Sequence, residues 1–66
     1  MNIDCVKVEY RKYLNEHDGE VPTQVTMCWN TYRDLVHNIR NDQILGVDIL
    51  ISPYILPDFI YFEGRQ

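Results

Sequence analysis

Four side chains in this sequence are of the types that ligate transition metals or act as nucleophiles: Cys5, His17, Cys28 and His37. Structural zinc sites usually pair their ligands as C-x₂₋₄-C or H-x₃₋₅-H, because ligands on one turn reach the same ion. No two of these four residues have that spacing. We therefore predict no metal site and no cofactor.

Cys28 is also a candidate catalytic thiol, because it precedes a predicted helix whose dipole would lower the pKa of the thiol. His37, the candidate base, lies nine positions further along the chain, more than two helical turns away and on the polar side of that helix. A nucleophile and its base must come within hydrogen-bond distance of each other. We expect no catalytic pair, and the protein is predicted not to be an enzyme.

A first group of charged residues, Glu16, Asp18 and Glu20, lies close to a predicted turn. Carboxylates at such spacing are able to attract a cation, but the alternating ligand pattern of a calcium loop is missing. The cluster is typical of a solvated loop that follows the end of a helix.

A second group, Arg33, His37 and Arg40, recurs at positions i, i+4 and i+7. On a continuous helix this spacing would form a basic stripe able to contact phosphate or an acidic patch of a protein. Asp34 and Asp42 weaken that interpretation. A solvated helix face is the alternative.

Length and charge limit the classes of function further. The 66 residues include ten acidic and six basic side chains, for a net charge of −4. An acidic protein repels phosphate backbones overall, which disfavours nucleic acid as a partner. A single small α+β domain of this length is near the lower limit for independent folding, and such domains often gain stability by oligomerisation.

The sequence also predicts a compartment. Two cysteines allow at most one disulfide, and charged residues interrupt the N-terminal segment before an apolar signal sequence would form. The apolar span over residues 44–62 is about long enough to cross a membrane, but it contains two acids and two prolines: Asp48, Pro53, Pro57 and Asp58. We expect a cytoplasmic protein without a membrane segment.

The N-terminal segment supports two interpretations. Residues 6–11 alternate between apolar and polar types, as in a strand, whereas four apolar residues also follow a helical stripe: Val6, Tyr10, Tyr13 and Leu14. Asp4 is a candidate N-cap and Gly19 a candidate stop signal. We favour a helix, with a strand as the alternative.

Four further elements follow along the chain. Val25 and Met27 alternate with polar neighbours and predict a short strand with one buried face. A helix ending near Asn41 is predicted from an apolar stripe at helical spacing: Trp29, Tyr32, Leu35, Val36 and Ile39. Its predicted N-cap is Asn30 or Thr31. Two final strands, around residues 47–51 and 59–62, are expected to pair with each other in antiparallel fashion.

These elements predict an α+β fold with one or two helices on a three- to four-stranded antiparallel or mixed sheet. The order is α-β-α-β-β, or β-β-α-β-β if the first segment is a strand. Leu50, Ile60 and Phe62 fall on the face opposite Val47 and Tyr61 in this arrangement. Since both faces then carry apolar groups, a second copy is expected to cover one of them as a homodimer. The alternative is that the chain termini cover it.

The connection between the last two strands, "SPYILPD", carries three large apolar side chains between two prolines. If the segment is extended, Tyr54 and Leu56 point one way and Ile55 the other. We expect Leu56 to anchor inward and Tyr54 or Ile55 to contact a partner.

Residues 21–62 contain "VPTQVTMCWNTYRDL" and "LGVDILISPYILPDFIYF". This pattern resembles a segment of HK97-type tailed-phage major capsid proteins, in which a Pro-Thr-led strand runs into a helix and a later strand ends in a Leu-Pro kink. The resemblance implies a small phage or prophage protein that uses a similar α+β module, and an inward role for Leu56. No functional residue carries over, and the chain is too short to be a whole capsid protein.

The functional prediction is a small cytoplasmic interaction protein, phage- or prophage-encoded, that self-associates and binds a host protein, for instance as an inhibitor. The acidic balance and the eight aromatic residues of the chain suit such a role. The alternative is a structural or assembly component of a phage virion. The candidate contact residues are Tyr54, Ile55, Leu50, Ile60 and Phe62, with Arg33, His37 and Arg40 as a polar stripe.

Overall fold

The computed structural model describes residues 1–64. Its helices are α1 (Ile3–Glu16), α2 (Trp29–Asp34) and a 3₁₀ turn at Val36–Asn38; its strands are β1 (Gln24–Met27), β2 (Gln43–Ile44), β3 (Val47–Ile51) and β4 (Ile60–Glu63). The four strands form one mixed sheet in the order β2-β3-β1-β4. The predicted α+β class with a small mixed sheet is confirmed.

Helix α1 confirms the favoured interpretation of the N-terminal segment and excludes the strand alternative. Its N-cap is Asn2, whose side chain accepts a hydrogen bond from the Cys5 N–H at 3.1 Å, and not Asp4, which lies in the first turn. Gly19, at φ +85°, donates its N–H to the Leu14 carbonyl at 2.8 Å. It therefore ends the helix as predicted, in a left-handed conformation that glycine adopts without strain.

Helix α2 is shorter than predicted and ends at Asp34 instead of near Asn41. The chain tightens into the 3₁₀ turn and becomes extended at Ile39, and Asn41 and Asp42 have positive φ angles that no helix contains. The Tyr32 hydroxyl donates to the Asp42 carboxylate at 3.1 Å, which holds this reversal in place and raises the pKa of the Tyr32 phenol.

The start of α2 and its apolar face also differ from the prediction. Cys28 occupies the N-cap position without a side-chain cap, instead of Asn30 or Thr31. Only Leu35 of the predicted apolar stripe is fully buried, whereas Trp29 and Val36 are about half exposed. Tyr32 and Ile39 pack against the core as partly buried residues, but Ile39 does so from the extended segment that follows the 3₁₀ turn and not from α2.

The predicted pairing of the last two strands is wrong. Strand β1 lies between β3 and β4, parallel to β3 and antiparallel to β4. Val25, Thr26 and Met27 of β1 are buried, so β1 suits the centre of the sheet. The connection from β3 to β4 crosses the end of β1, a distance of about 10 Å for two strand spacings.

The core lies between the sheet and α1. It consists of Val6, Val25, Met27, Leu35, Ile44, Val47 and Ile60. The register pairs Met27 with Ile60 and Val25 with Phe62, so both β4 residues point toward the core. The prediction that Ile60 and Phe62 share the face of Leu50 is therefore wrong: Ile60 is buried, and Phe62 packs edge-on against Tyr10 with ring centroids 5.6 Å apart.

Candidate interaction surfaces

The face of the sheet away from the core carries a row of three side chains whose two outer members are half exposed. Thr26 of β1 pairs with Leu50 of β3 on one side and with Tyr61 of β4 on the other, so these three side chains form a row across the sheet. Leu50 is 51 % exposed and Tyr61 is 52 % exposed. We call this row the open-face patch.

The middle residue of the open-face patch has an unusual polar group. Thr26 is only 7 % exposed, because Leu50 and Tyr61 flank it, and its hydroxyl has no hydrogen-bond partner among the described residues. A buried hydroxyl without a partner destabilises the fold by about 1–3 kcal/mol. The patch therefore contains a polar atom whose hydrogen-bonding capacity is not used within residues 1–64.

The rim of the open-face patch is formed by amide and carboxylate side chains. Gln43 donates to Asp48 at 2.7 Å, and Gln24 donates to Glu63 at 2.9 Å. Each acid is thus already bound by a neutral donor on the neighbouring strand. The strand residues of this face carry no lysine or arginine, so the patch is apolar at its centre and acidic at its edge.

The loop from Ser52 to Asp58 exposes Tyr54 by 91 % and Leu56 by 68 %, whereas Ile55 is half-buried. The prediction that Leu56 anchors inward is therefore wrong, and Ile55 is the more buried residue. The reason is that the segment is not extended: Ile55 N–H donates to the Ser52 carbonyl at 3.5 Å, and Phe59 N–H donates to the Leu56 carbonyl at 3.2 Å. Two successive turns remove the alternation on which the prediction depended.

The far end of this loop is fixed to α2. The Asp58 N–H donates to the Thr31 hydroxyl at 3.1 Å, and that hydroxyl lies 3.3 Å from the Cys28 sulfur. The side-chain bond to Thr31, followed by the Thr31 backbone bond, lowers the pKa of the Cys28 thiol. Since Thr31 is fully buried, these contacts form a closed polar cluster under the loop.

The amino group of Met1 joins the same region. It lies 2.8 Å from the Asp58 carboxylate and 3.2 Å from the Asp34 carboxylate, and these bonds raise the pKa of the amino group. The N-terminal residue thereby connects α2 with the loop. The Thr31 and Met1 contacts are both made by Asp58, so Tyr54 and Leu56 are displayed on a loop that is fixed within its second turn.

The predicted basic stripe does not lie on one continuous helix. Arg33 lies in α2 and His37 in the 3₁₀ turn, while Arg40 forms an isolated bridge with Gln43. All three side chains are exposed, but the helix that was to align them ends at Asp34. The i, i+4, i+7 spacing therefore no longer aligns these three side chains on one helix face.

A groove runs between α1 and the outer edge of β4. One part of it is lined by Glu9, Lys12, Tyr13, Glu16 and residues 59–62. The adjoining part shares Tyr13, Glu16 and Phe62 with the first and adds further polar residues: His17, Glu20, Thr23, Gln24, Glu63 and Gly64. Sequence reasoning missed this groove, since it requires β4 to be an edge strand beside α1.

Cys5 is an exposed free thiol and Cys28 a buried one. Within residues 1–64, no three His, Cys, Asp or Glu side chains come together as a metal site would require. None of the helices in that range has both the length and the apolar content needed to span a lipid bilayer.

Tyr61 is a surface residue that sequence reasoning misplaced. Alternation alone placed Tyr61 with Val47, and only the position of β1 between β3 and β4 reveals that Tyr61 shares a face with Leu50.

The chain matches no protein-family model, and comparison with curated proteins and with solved structures likewise finds no match.

Proposed function

We propose that this protein is a cytoplasmic interaction module that self-associates through the open-face patch and acts by binding another protein. The observation that carries the proposal is the row Leu50–Thr26–Tyr61, with two half-exposed large side chains around a buried hydroxyl that lacks a partner. Two free thiols suit a reducing compartment.

A second copy of the chain is the occupant that fits this face. In a two-fold dimer the same patch meets itself, so Leu50 and Tyr61 of one copy cover those of the other. At the rim, the glutamine amides of one copy can donate to the carboxylates of the other, which limits repulsion between the two acidic rims.

The experiment is a measurement of dimer dissociation by analytical ultracentrifugation for the wild type and for Leu50→Ser and Tyr61→Ser. We expect each substitution to weaken the dimer by about thirtyfold, since both copies carry it and each loses apolar contact worth about 1 kcal/mol. Val8→Ser is the matched control, because Val8 is an exposed apolar residue on α1. A wild type that stays monomeric near 1 mM, or equal dissociation constants in all variants, would reject the self-association.

The displayed side chains of the Ser52–Asp58 loop support the second part of the proposal, which is contact with another protein. Tyr54 is a large amphipathic residue of the type that is enriched at binding hot spots, and its exposure leaves it free for a partner. Affinity capture from host lysate should retain a protein with the wild type and lose it with Tyr54→Ser combined with Leu56→Ser. Val21→Ser, which removes another exposed apolar side chain, should retain it. Equal retention by all three would exclude the loop as the contact.

The host protein as target, the phage or prophage origin and the virion alternative remain predictions from the sequence pattern. The position of the gene tests them. Neighbouring portal or scaffold genes would favour the virion role, whereas an early-gene context would favour binding of a host protein.

A further inference from the structure

Strand β4 is an edge of the sheet, and within residues 1–64 no strand pairs with its outer side. The Glu63 carbonyl accepts from Thr23, so the backbone groups of Glu63, and by alternation those of Tyr61, face β1. The N–H and C=O groups of Ile60 and Phe62 then face away from β1. Edge groups of this kind are a template for an added strand.

The other edge of the sheet is a poorer template. Strand β2 has two residues, and Arg40 already bridges to Gln43 beside it. Strand β4 has four residues and contains no proline or inward-pointing charge, two of the devices that protect edges from pairing. Pairing with a further strand is thus favoured at β4.

The groove beside this edge is lined mainly by acidic side chains. Its lining includes four carboxylates and one lysine: Glu9, Glu16, Glu20, Glu63 and Lys12. The carboxylates lie on both sides of the edge, on α1 and its following turn and on β4 itself. The groove therefore attracts a basic ligand and repels an acidic one.

We propose that the outer edge of β4 binds an extended, basic segment of another protein as a fifth strand of the sheet. This proposal rests on the proposed function and specifies the chemistry of its partner. Backbone hydrogen bonds to Ile60 and Phe62 provide the attachment, and lysine or arginine side chains that point toward α1 meet Glu9 and Glu16. The alternate side chains of the segment lie beside Phe59 and Tyr61, which accept apolar groups or a stacked guanidinium.

A second copy of this chain does not suit the same edge. Pairing β4 with β4 of another copy would bring together two grooves that each carry four carboxylates against one lysine. Like charges across an interface oppose such pairing. The edge and the open-face patch therefore have different occupants, a basic segment and a second copy.

A ten-residue peptide of alternating lysine and valine is the probe. We expect it to bind at low ionic strength, to protect the Ile60 and Phe62 amides from hydrogen exchange, and to bind more weakly as salt is added. A peptide with the same ten residues arranged as a lysine block and a valine block is the matched control, which keeps the charge but not the alternation. In a fifth strand, the backbone N–H groups of every second peptide residue face β4. Methylation of those nitrogens should abolish binding, whereas methylation of the other alternate set should preserve it.

Variants of the protein test the role of charge. Glu9→Gln combined with Glu16→Gln should weaken binding of the alternating peptide about three- to tenfold, since two partly exposed ion pairs are lost. Asp18→Asn is the control, because Asp18 is an exposed acid outside the groove, and its φ of +54° suits asparagine.

Three outcomes would overturn the inference: equal binding of the alternating and block peptides, protection of the open-face patch in place of Ile60 and Phe62, or protection of these two amides in the protein alone at high concentration. The first two leave self-association through Leu50 and Tyr61 intact. Loss of the dimer in Leu50→Ser, with peptide binding unchanged, separates the two proposals, because Leu50 does not line the groove.

Discussion

Two buried threonines have opposite hydrogen-bonding situations. Thr31 is fully buried, and its hydroxyl accepts from the Asp58 N–H while lying 3.3 Å from the Cys28 sulfur. Thr26 is almost as buried, but its hydroxyl has no partner among the described residues. Valine has nearly the shape of threonine, so replacement of each residue isolates the contribution of its hydroxyl.

Thr31→Val should reduce the free energy of unfolding by about 1–3 kcal/mol, because the Asp58 N–H loses its acceptor in a partly buried position. Thr26→Val should raise it by about 1 kcal/mol, since a buried hydroxyl without a partner is replaced by a methyl group. Urea denaturation at a protein concentration below that of dimer formation measures both. A stabilised Thr31→Val variant would contradict the role assigned to the cluster beneath the loop.

The Met1 amino group predicts a dependence of stability on pH. Hydrogen bonds to Asp58 and then to Asp34 raise the pKa of this group above its ordinary value of 8.0, so the folded chain holds the proton more tightly than the unfolded chain. The resulting stabilisation is complete below about pH 8 and is lost as pH rises through the raised pKa. The lowered pKa of Cys28 acts in the opposite direction.

The comparison that isolates the Met1 contribution is between the wild type and the variant Asp34→Asn with Asp58→Asn. Both proteins contain Cys28, so the difference in their free energies of unfolding should shrink between pH 7 and pH 10. A difference that is constant over this range would exclude the amino group as its source.

The β2–β3 hairpin has a local conflict between sequence and conformation. Leu45 and Gly46 form its two-residue turn, with φ angles of +52° and +76°. Positive φ at both positions defines a type I′ turn, for which Asn-Gly is the preferred pair. Leucine tolerates this region poorly, because its Cβ comes close to the backbone.

Leu45→Asn should therefore raise the free energy of unfolding by about 1 kcal/mol, as measured by thermal and urea denaturation. Leu45→Ala is the control, since it removes the partly exposed side chain without supplying the short polar group with which asparagine hydrogen-bonds locally at positive φ. Gly46→Ala should destabilise the protein, because it introduces a Cβ at a positive φ angle. Equal stability of the Asn and Ala variants at position 45 would show that the turn conformation is not the source of the effect.

Within residues 1–64 the protein buries few side chains, with seven residues in the core cluster and eleven large apolar or aromatic residues exposed. Association that binds only the folded state stabilises it by mass action. The thermal midpoint should therefore rise with protein concentration. Each tenfold increase in concentration stabilises the folded dimer by about 1.4 kcal/mol per mole of dimer. In Leu50→Ser and Tyr61→Ser the midpoint should begin to rise only at higher protein concentration, because their dimers are weaker. An identical calorimetric midpoint at roughly 10 μM and roughly 1 mM protein would contradict coupling of folding to self-association.

Helix α1 and strands β1, β3 and β4 follow from residue patterns along the chain. The stripe from Val6 to Leu14 and the stop at Gly19 predicted α1, because helix periodicity and a left-handed C-terminal glycine act over a few residues. The alternation in β3 placed Val47 in the core and Leu50 on the other face for the same reason.

The surfaces, in contrast, depend on contacts between segments that are distant in sequence. Strand β4 is apolar at every position from Ile60 to Phe62, so a period of two residues leaves open which face is buried until β1 pairs Met27 with Ile60. The end of α2 depends on the hydrogen bond between Tyr32 and Asp42. The exposure of Leu56 depends on two successive turns, the second of which is anchored at Thr31. Local propensity determines which segments become helices and strands, whereas strand order and burial are nonlocal properties that arise when the core packs.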